Sequence, residues 1–412
     1  MKQVDIIRPG SINAIIGPVG TLKRMLKNQE FFNSRGYQIT VFTNESIKNG
    51  PILVPPPAVH STKTWKSKLR QKIGSFLRVR AQKNYYIAKW FLDRDKKRTE
   101  ALVEYYIALN RTPDIIQFHS DYECQVYLNK RKDASAKTVM FLHSDGIPFK
   151  MTLEYYPCLE GSLYMNNWRK ETDWTVANTD RINFIAKIGQ ENFLKYYPNR
   201  SKNDTSVIIN GIDDLNIIQK QEVNAIQSKR DSIFKYRLCC TGTINFRKGQ
   251  RIIIEAMSQL PKELLREIHL DLIGDGGERP VLEGLVHEYG LDEHVRFWGM
   301  VPNVEVYRYL AQNNIYILMS KNEGLPISII EAMRAGLPII STNVSGIPEL
   351  VNEGYNGLLL NPDVKELAEL LKKLPNYDWE LMGKNSRKRF ELEFTFERME
   401  KDFCDMYDSL FA

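Results

Sequence analysis

Residues 320–360 read SKNEGLPISIIEAMRAGLPIISTNVSGIPELVNEGYNGLLL. The run before it, NIYILMS (314–320), is apolar, rich in β-branched and aromatic residues, and too short for a helix, so it predicts a strand. ISIIEAMRAG (327–336) then spaces its apolar residues as a helix does, and LPIISTNV (337–344) returns to a strand pattern. The segment is therefore a strand–turn–helix–strand unit of a parallel sheet. Glu323 falls at the carboxyl end of the first strand, just before Gly324, whose missing Cβ permits a sharp turn and close approach to its backbone. Pro326 suits a helix start, and Glu331 follows eight positions after Glu323, inside the helix. A carboxylate accepts hydrogen bonds in pairs, as vicinal hydroxyls require, and free amides at a helix N-terminus attract phosphate oxygens. Two acids in an ordinary strand–turn–helix would look alike, so the rest of the chain has to decide.

Outward from this stretch the same alternation continues. YRLCCTGTI (236–244), IHLDLIGDG (268–276) and VRFWGMV (295–301) predict further strands, with a helix over QRIIIEAMSQL (250–260). In the first half VDIIRP, YQITVFTN, DIIQFHS, KTVMFLHS and WTVANTD read as strands, and residues 22–32 as a helix closed by Gly36. The final FTFERMEKDFCDMYDSLF is an amphipathic helix. The fold class is α/β, with parallel sheets covered by helices. A chain of 412 residues exceeds one compact core, which predicts two domains, 1–204 and 205–391, with the helix of 392–412 packing back onto the first.

Composition narrows the function classes. No run of about eighteen apolar residues is present, and Asp5 and Arg8 interrupt the first apolar run in a way a secretory signal does not. Five scattered cysteines lack metal-ligand spacing, and Cys239-Cys240 reads as part of a buried strand. These features predict a reduced, cytoplasmic setting. The formal charge of +7 is uneven: residues 63–98 hold thirteen Lys or Arg against only Asp93 and Asp95, with Trp65, Phe76, Tyr85, Tyr86, Trp90 and Phe91 interleaved. One or two amphipathic helices are predicted there. They are either a solvated face or a contact with an anionic acceptor or the inner face of a membrane.

Several spaced motifs together resemble family 4 retaining glycosyltransferases. Residues 323–331 match that family's Glu-x7-Glu signature. VIINGID (207–213) resembles its element entering the second domain, and GTINFRKGQRIIIEAM (242–257) its phosphate-binding strand–loop–helix. LIGDGGERPVLEGLV followed by VRFWGMVPNVEVYRYL resembles its later glycine turns. The likeness covers most of 205–412 and is thinner over 1–204. It implies two facing Rossmann-like domains (the GT-B type) with the active site in the cleft between them. It also implies roles: Glu323 on donor-sugar hydroxyls, Glu331 on the ribose, Lys248 on the diphosphate, amides near Gly324 and Leu325 assisting, and main-chain groups of Gly299, Met300 and Val301 on the base. One departure stands out. Thr243 follows Gly242 where many members carry Arg, and Arg247 is the candidate substitute.

In the first domain, Gly17-Pro-Val-Gly20 reads as a glycine loop between the first strand and first helix, with Gly17 and Gly20 open to phosphate or sugar. His119 and His143 end strands, where open α/β sheets place ligands. The family resemblance favours His143 as an active-site histidine, and Asp145 is expected to orient either His143 or a substrate hydroxyl. The expected activity is metal-independent transfer of a sugar, with retention, from a nucleotide-sugar donor (a UDP-sugar) to a glycan or lipid-linked acceptor. No cofactor and no nucleic-acid partner is expected. Three rivals differ in class: a sugar-nucleotide epimerase or hydrolase of the same fold, a Rossmann oxidoreductase, and a non-catalytic basic binder of membrane or nucleic acid. The oxidoreductase is weakened because GDGGER lacks the Gly-x-Gly-x-x-Gly spacing.

Overall fold

The computed structural model describes residues 1–13, 17–55, 74, 77, 80–229 and 233–412. The chain divides into two compact units, one of Met1–Ile208 with Glu400–Ala412, the other of Ile209–Met399. Each is a Rossmann-like α/β unit built on a six-stranded sheet.

The first sheet contains β1 (Lys2–Ile7), β2 (Tyr37–Phe42), β3 (Ile115–Phe118), β4 (Lys137–Leu142), β5 (Arg181–Phe184) and β6 (Thr205–Val207), in the order β2-β1-β3-β4-β5-β6 with parallel pairing throughout. Its strands are buried on both faces, as parallel strands covered by helices must be. Asp5 sits fully buried in β1, where Arg111 donates to both carboxylate oxygens, at 2.7 and 2.9 Å, and Tyr106 donates at 2.8 Å. Because β6 pairs with β5, the first unit runs on to Ile208 rather than ending at 204.

The second sheet contains β7 (Tyr236–Thr241), β8 (Ile268–Ile273), β9 (Val295–Gly299), β10 (Ile315–Leu318), β11 (Ile339–Thr342) and β12 (Gly357–Leu360), in the order β12-β11-β10-β7-β8-β9, again parallel. Cys239 and Cys240 are buried in β7.

Two expectations are corrected. WTVANTD (174–180) is not a strand. Its first residues close the helix Leu163–Asn178, capped by Ser162, and the strand begins at Arg181. Val176 and Thr175 favour strands locally, but Met165, Trp168, Thr172 and Val176 form one buried helical stripe, and tertiary burial prevails. Gly17–Gly20 is not a loop but the first turn of the helix Gly17–Lys27. Of the basic stretch 63–98, residues 63–73, 75, 76, 78 and 79 lie outside the described residues, and the helix Tyr85–Ala108 forms its end. Among the described residues, no helix is long and apolar enough to cross a membrane.

Candidate active site

In the second unit the chain runs from β7 to β8 and β9 on one side, and β10 then returns to the other side of β7. The loops after β7 and β10 thus leave the sheet side by side, at the reversal point where open α/β sheets bind ligands. The first loop carries Arg247 and Lys248, the second Glu323. Lys248 Nζ lies 2.7 Å from Glu323 Oε1, and Arg247 Nη1 lies 3.1 Å from Oε2. Ser320 Oγ donates to Oε1 at 2.8 Å. Arg247 Nη1 donates to the Asn322 carbonyl at 2.6 Å, and the Lys321 amide donates to the Arg247 carbonyl at 2.8 Å, tying the two loops together. Only 8% of the Glu323 side chain is exposed. Burial alone would raise its carboxyl; the Lys248 ammonium and Arg247 guanidinium outweigh burial and hold it below its ordinary value. Glu323 is therefore a carboxylate at neutral pH.

The loop after β7 is shaped locally. Asn245 Oδ1 accepts from the amides of Arg247 and Lys248, at 3.1 Å each. Gly249 has φ +69°, and a Cβ there would meet the Met319 carbonyl at 1.9 Å, so only glycine lets the helix Gln250–Met257 start against the end of β10. Gly324 and Leu325 are buried between Glu323 and the helix Ile327–Arg334, whose N-cap is Pro326. The Leu325 carbonyl accepts from Asn210 at 3.4 Å. Glu331 lies in the second turn of that helix, partly buried. Thr243 is exposed, and its carbonyl accepts from Gln250 at 3.2 Å. Gly299 ends β9 with φ +74°, followed by exposed Met300 and half-buried Val301, two strands from β7. The structure thus gathers Arg247, Lys248, Glu323, Gly324 and Leu325 at one point. Asn245 and Ser320, which hold this cluster, carried no sequence signal beyond their polarity.

In the first unit, Arg8 follows β1, His119 follows β3 and His143 follows β4. The two imidazoles stack at 5.2 Å and 5°, with His119 Nδ1 2.9 Å from His143 Nε2. His119 Nε2 lies 3.1 Å from Gln117 Nε2, and Gln117 Oε1 accepts from the Tyr407 hydroxyl at 2.7 Å. This network assigns the protons: the Gln117 amide donates to His119 Nε2, so His119 carries its proton on Nδ1 and donates to His143 Nε2. Burial, then the neighbouring Arg8 charge, pushes His143 down to about 4. Burial first, then His143 and Arg8, holds His119 well below its ordinary value. Both rings are neutral at physiological pH, and His143 keeps its proton on Nδ1 as a donor. Glu123, buried, accepts from the His119 amide at 2.9 Å and from the Ser120 hydroxyl, and burial pushes it up to about 7. Asp145 does not orient His143: its carboxylate accepts from Lys150 at 2.6 Å and from the Ile147 amide at 3.3 Å. Gln117, Glu123 and Tyr407 were not legible as site residues, because only the adjacency of β3, β4 and the last helix assembles them.

The helix Tyr85–Ala108 turns Ala88 and Phe91 inward onto Leu159, Met165 and Trp168. Outward it presents Tyr86, 79% exposed, and Trp90, 53% exposed, beside Lys89, Arg94 and Lys97. Asp93 pairs with Lys89 and Asp95 with Arg94 on this face. Among the described residues, no three His, Cys, Asp or Glu side chains gather in a metal-holding group.

Residues 220–390 match the family model described as glycosyl transferases group 1. Over this part of the second unit the chain resembles glycosyltransferases. It is 28% identical over 246 residues to an uncharacterized glycosyltransferase of Methanocaldococcus jannaschii, covering 58% of this chain and 59% of that one. It is 26% identical to N-acetyl-alpha-D-glucosaminyl L-malate synthase of Bacillus anthracis over 57% of this chain and 65% of the relative. The matches thus span less than two thirds of these curated relatives. The crystal structure of Anabaena HepE in complex with UDP-glucose aligns over 98% of this chain and 99% of HepE, with a TM-score of 0.67 at 17% identity, a likeness of fold.

Proposed function

We propose that the chain is a metal-independent retaining glycosyltransferase of hexosyl type. It moves a sugar from a UDP-sugar to an acceptor hydroxyl in the synthesis of a surface glycan or glycolipid. The observation that carries this reading is Glu323 held between Lys248 and Arg247 at the strand reversal. A diphosphate competes for both cations and leaves the carboxylate free to accept from donor-sugar hydroxyls. As the bond from the sugar to the phosphate oxygen breaks, charge grows on that oxygen, and Lys248, Arg247 and the amides from Gly324 to the helix start stabilise it. The acceptor oxygen attacks the same face, and the departing phosphate takes its proton. Glu331 holds the ribose, and main-chain groups at Gly299, Met300 and Val301 hold the base. His143, neutral and donating from Nδ1, orients a hydroxyl and does not act as a base. Uridine is chosen because the similar HepE fold was solved with UDP-glucose. The first unit takes the acceptor, and Tyr86 and Trp90 amid their cations favour contact with an anionic membrane surface.

A thermal-shift panel of UDP-, GDP- and ADP-sugars tests the donor. A true donor at about 100 times its Kd stabilises the native state by about 2.7 kcal/mol. Failure of every nucleotide sugar to raise the Tm removes the proposal. Anomeric configuration of the product by NMR tests retention, and turnover of the donor without acceptor would favour the epimerase or hydrolase. Co-sedimentation with phosphatidylglycerol vesicles tests the membrane contact: Trp90→Ser should weaken it, and unchanged binding would return this helix to an ordinary solvated face.

A further inference from the structure

A cavity of about 280 Å³ lies within the first unit beside the imidazole pair. Its walls are apolar, formed by Met140, Phe141, Phe149, Trp168, Val176 and Phe193. Its polar side chains are His119, Ser120, Asp121, His143, Ser144, Thr152 and Thr172, with Asp121 accepting from Thr172 at 2.8 Å. Two features mark it as built for a ligand. Trp168 is rigidly mounted, with the Lys96 ammonium 4.2 Å from its ring centre and the Phe149 ring edge-on at 5.2 Å. Phe149 holds φ +62°, a strained conformation for an aromatic residue, and its ring forms part of the wall.

We propose that this cavity binds an uncharged apolar group of the acceptor, an aglycone of ring or short-chain size. The assignment of that group to an acceptor rests on the transferase reading above. A free sugar suits the cavity poorly, because its many hydroxyls would face apolar walls unpaired. An anionic group is disfavoured by Asp121. An amphiphile fits, its apolar body against Met140, Val176 and Phe193 and its hydroxyl end at the His143 donor. The volume lies at the small end for ligand pockets, which selects a short group over a whole lipid.

The test is calorimetric titration of the full chain, without nucleotide, with glucose and with ethyl to hexyl glucosides below their micelle concentrations. Each added methylene should strengthen binding by up to about fourfold until the cavity is full. Met151, 36% exposed, lines the cavity at its solvent side, so Met151→Trp should abolish the gain while leaving the core intact. Affinity that ignores chain length, or that keeps its full gain in the folded Met151→Trp variant, overturns the proposal. Sugar transfer with no such gain sinks the cavity alone. A chain-length gain with no turnover of any nucleotide sugar keeps the cavity and sinks the transferase reading.

Discussion

Glu323→Gln keeps the side chain's shape and removes its charge. Three donors point at this carboxylate: Lys248 and Ser320 at Oε1, and Arg247 at Oε2. Glutamine has one acceptor oxygen, and its amide nitrogen must then face another donor. Removing one partner of a buried ion pair costs about 3–5 kcal/mol. The Lys248 and Arg247 side chains keep 14% and 17% exposure, and Arg247 keeps the Asn322 carbonyl, which places the cost near the lower end. A loss of about 3 kcal/mol lowers Tm by roughly 6–12 °C in a unit of this size. UDP should narrow that gap, because its phosphates supply the anion the variant lacks, and the Kd for UDP should be no weaker than in wild type. Turnover should fall, since the donor sugar loses a hydrogen bond to a charged group. That bond is worth about 1.5–3 kcal/mol, roughly ten- to more than a hundredfold in kcat. Thermal denaturation with and without UDP, calorimetric UDP binding and steady-state kinetics measure the three quantities. A kcat within about twofold of wild type, or a UDP affinity that falls in step with kcat, refutes the role assigned to this carboxylate.

Lys248→Ala should lower kcat and also weaken UDP, roughly tenfold to more than a hundredfold, because a charge-assisted contact is lost; unchanged calorimetric affinity contradicts the diphosphate role. Gly249→Ala should destabilise by about 3 kcal/mol or more in urea titration, since its φ of +69° and the Met319 carbonyl, 1.9 Å from where a Cβ would stand, both oppose a side chain; a neutral effect would mean the loop moves freely. Glu123, with a folded pKa of about 7 against an ordinary 4.5, contributes stability that is complete below about pH 4.5 and lost as pH rises through 7. Glu123→Gln should therefore gain on wild type by up to about 3 kcal/mol between those pH values and level off above, and a difference that is flat with pH would contradict the burial argument.

The strands around Glu323 were readable because a buried parallel strand must be an apolar run, and the glycines and proline between them punctuate it. The Lys248 and Glu323 loops were readable as ligand loops because both follow strand ends. Their direct ion pair was not, since it depends on β10 crossing back beside β7. Arg247 was legible only as a nearby cation; its bond to the Asn322 carbonyl is a consequence of tertiary placement. Residues 174–180 misled because Thr175, Val176 and Thr179 prefer strands, while the stripe from Met165 to Val176 that decides the helix lies mostly upstream of them. His143 was visible as a strand-end histidine, but its proton position was not, because that depends on His119, Gln117 and Tyr407, drawn from separate parts of the chain.

The engagement of Tyr407 has a temporal side. Glu400–Ala412 belongs to the first unit, where Phe403 stacks on Phe141 at 5.5 Å and Tyr407 packs on Tyr37 at 5.2 Å. Residues 1–208 alone therefore leave this unit's core unsealed, and Gln117 without its Tyr407 partner, until residues 400–412 have followed the whole second unit out of the ribosome. The middle domain can close first. Deleting residues 400–412 would thus injure the unit that was made first.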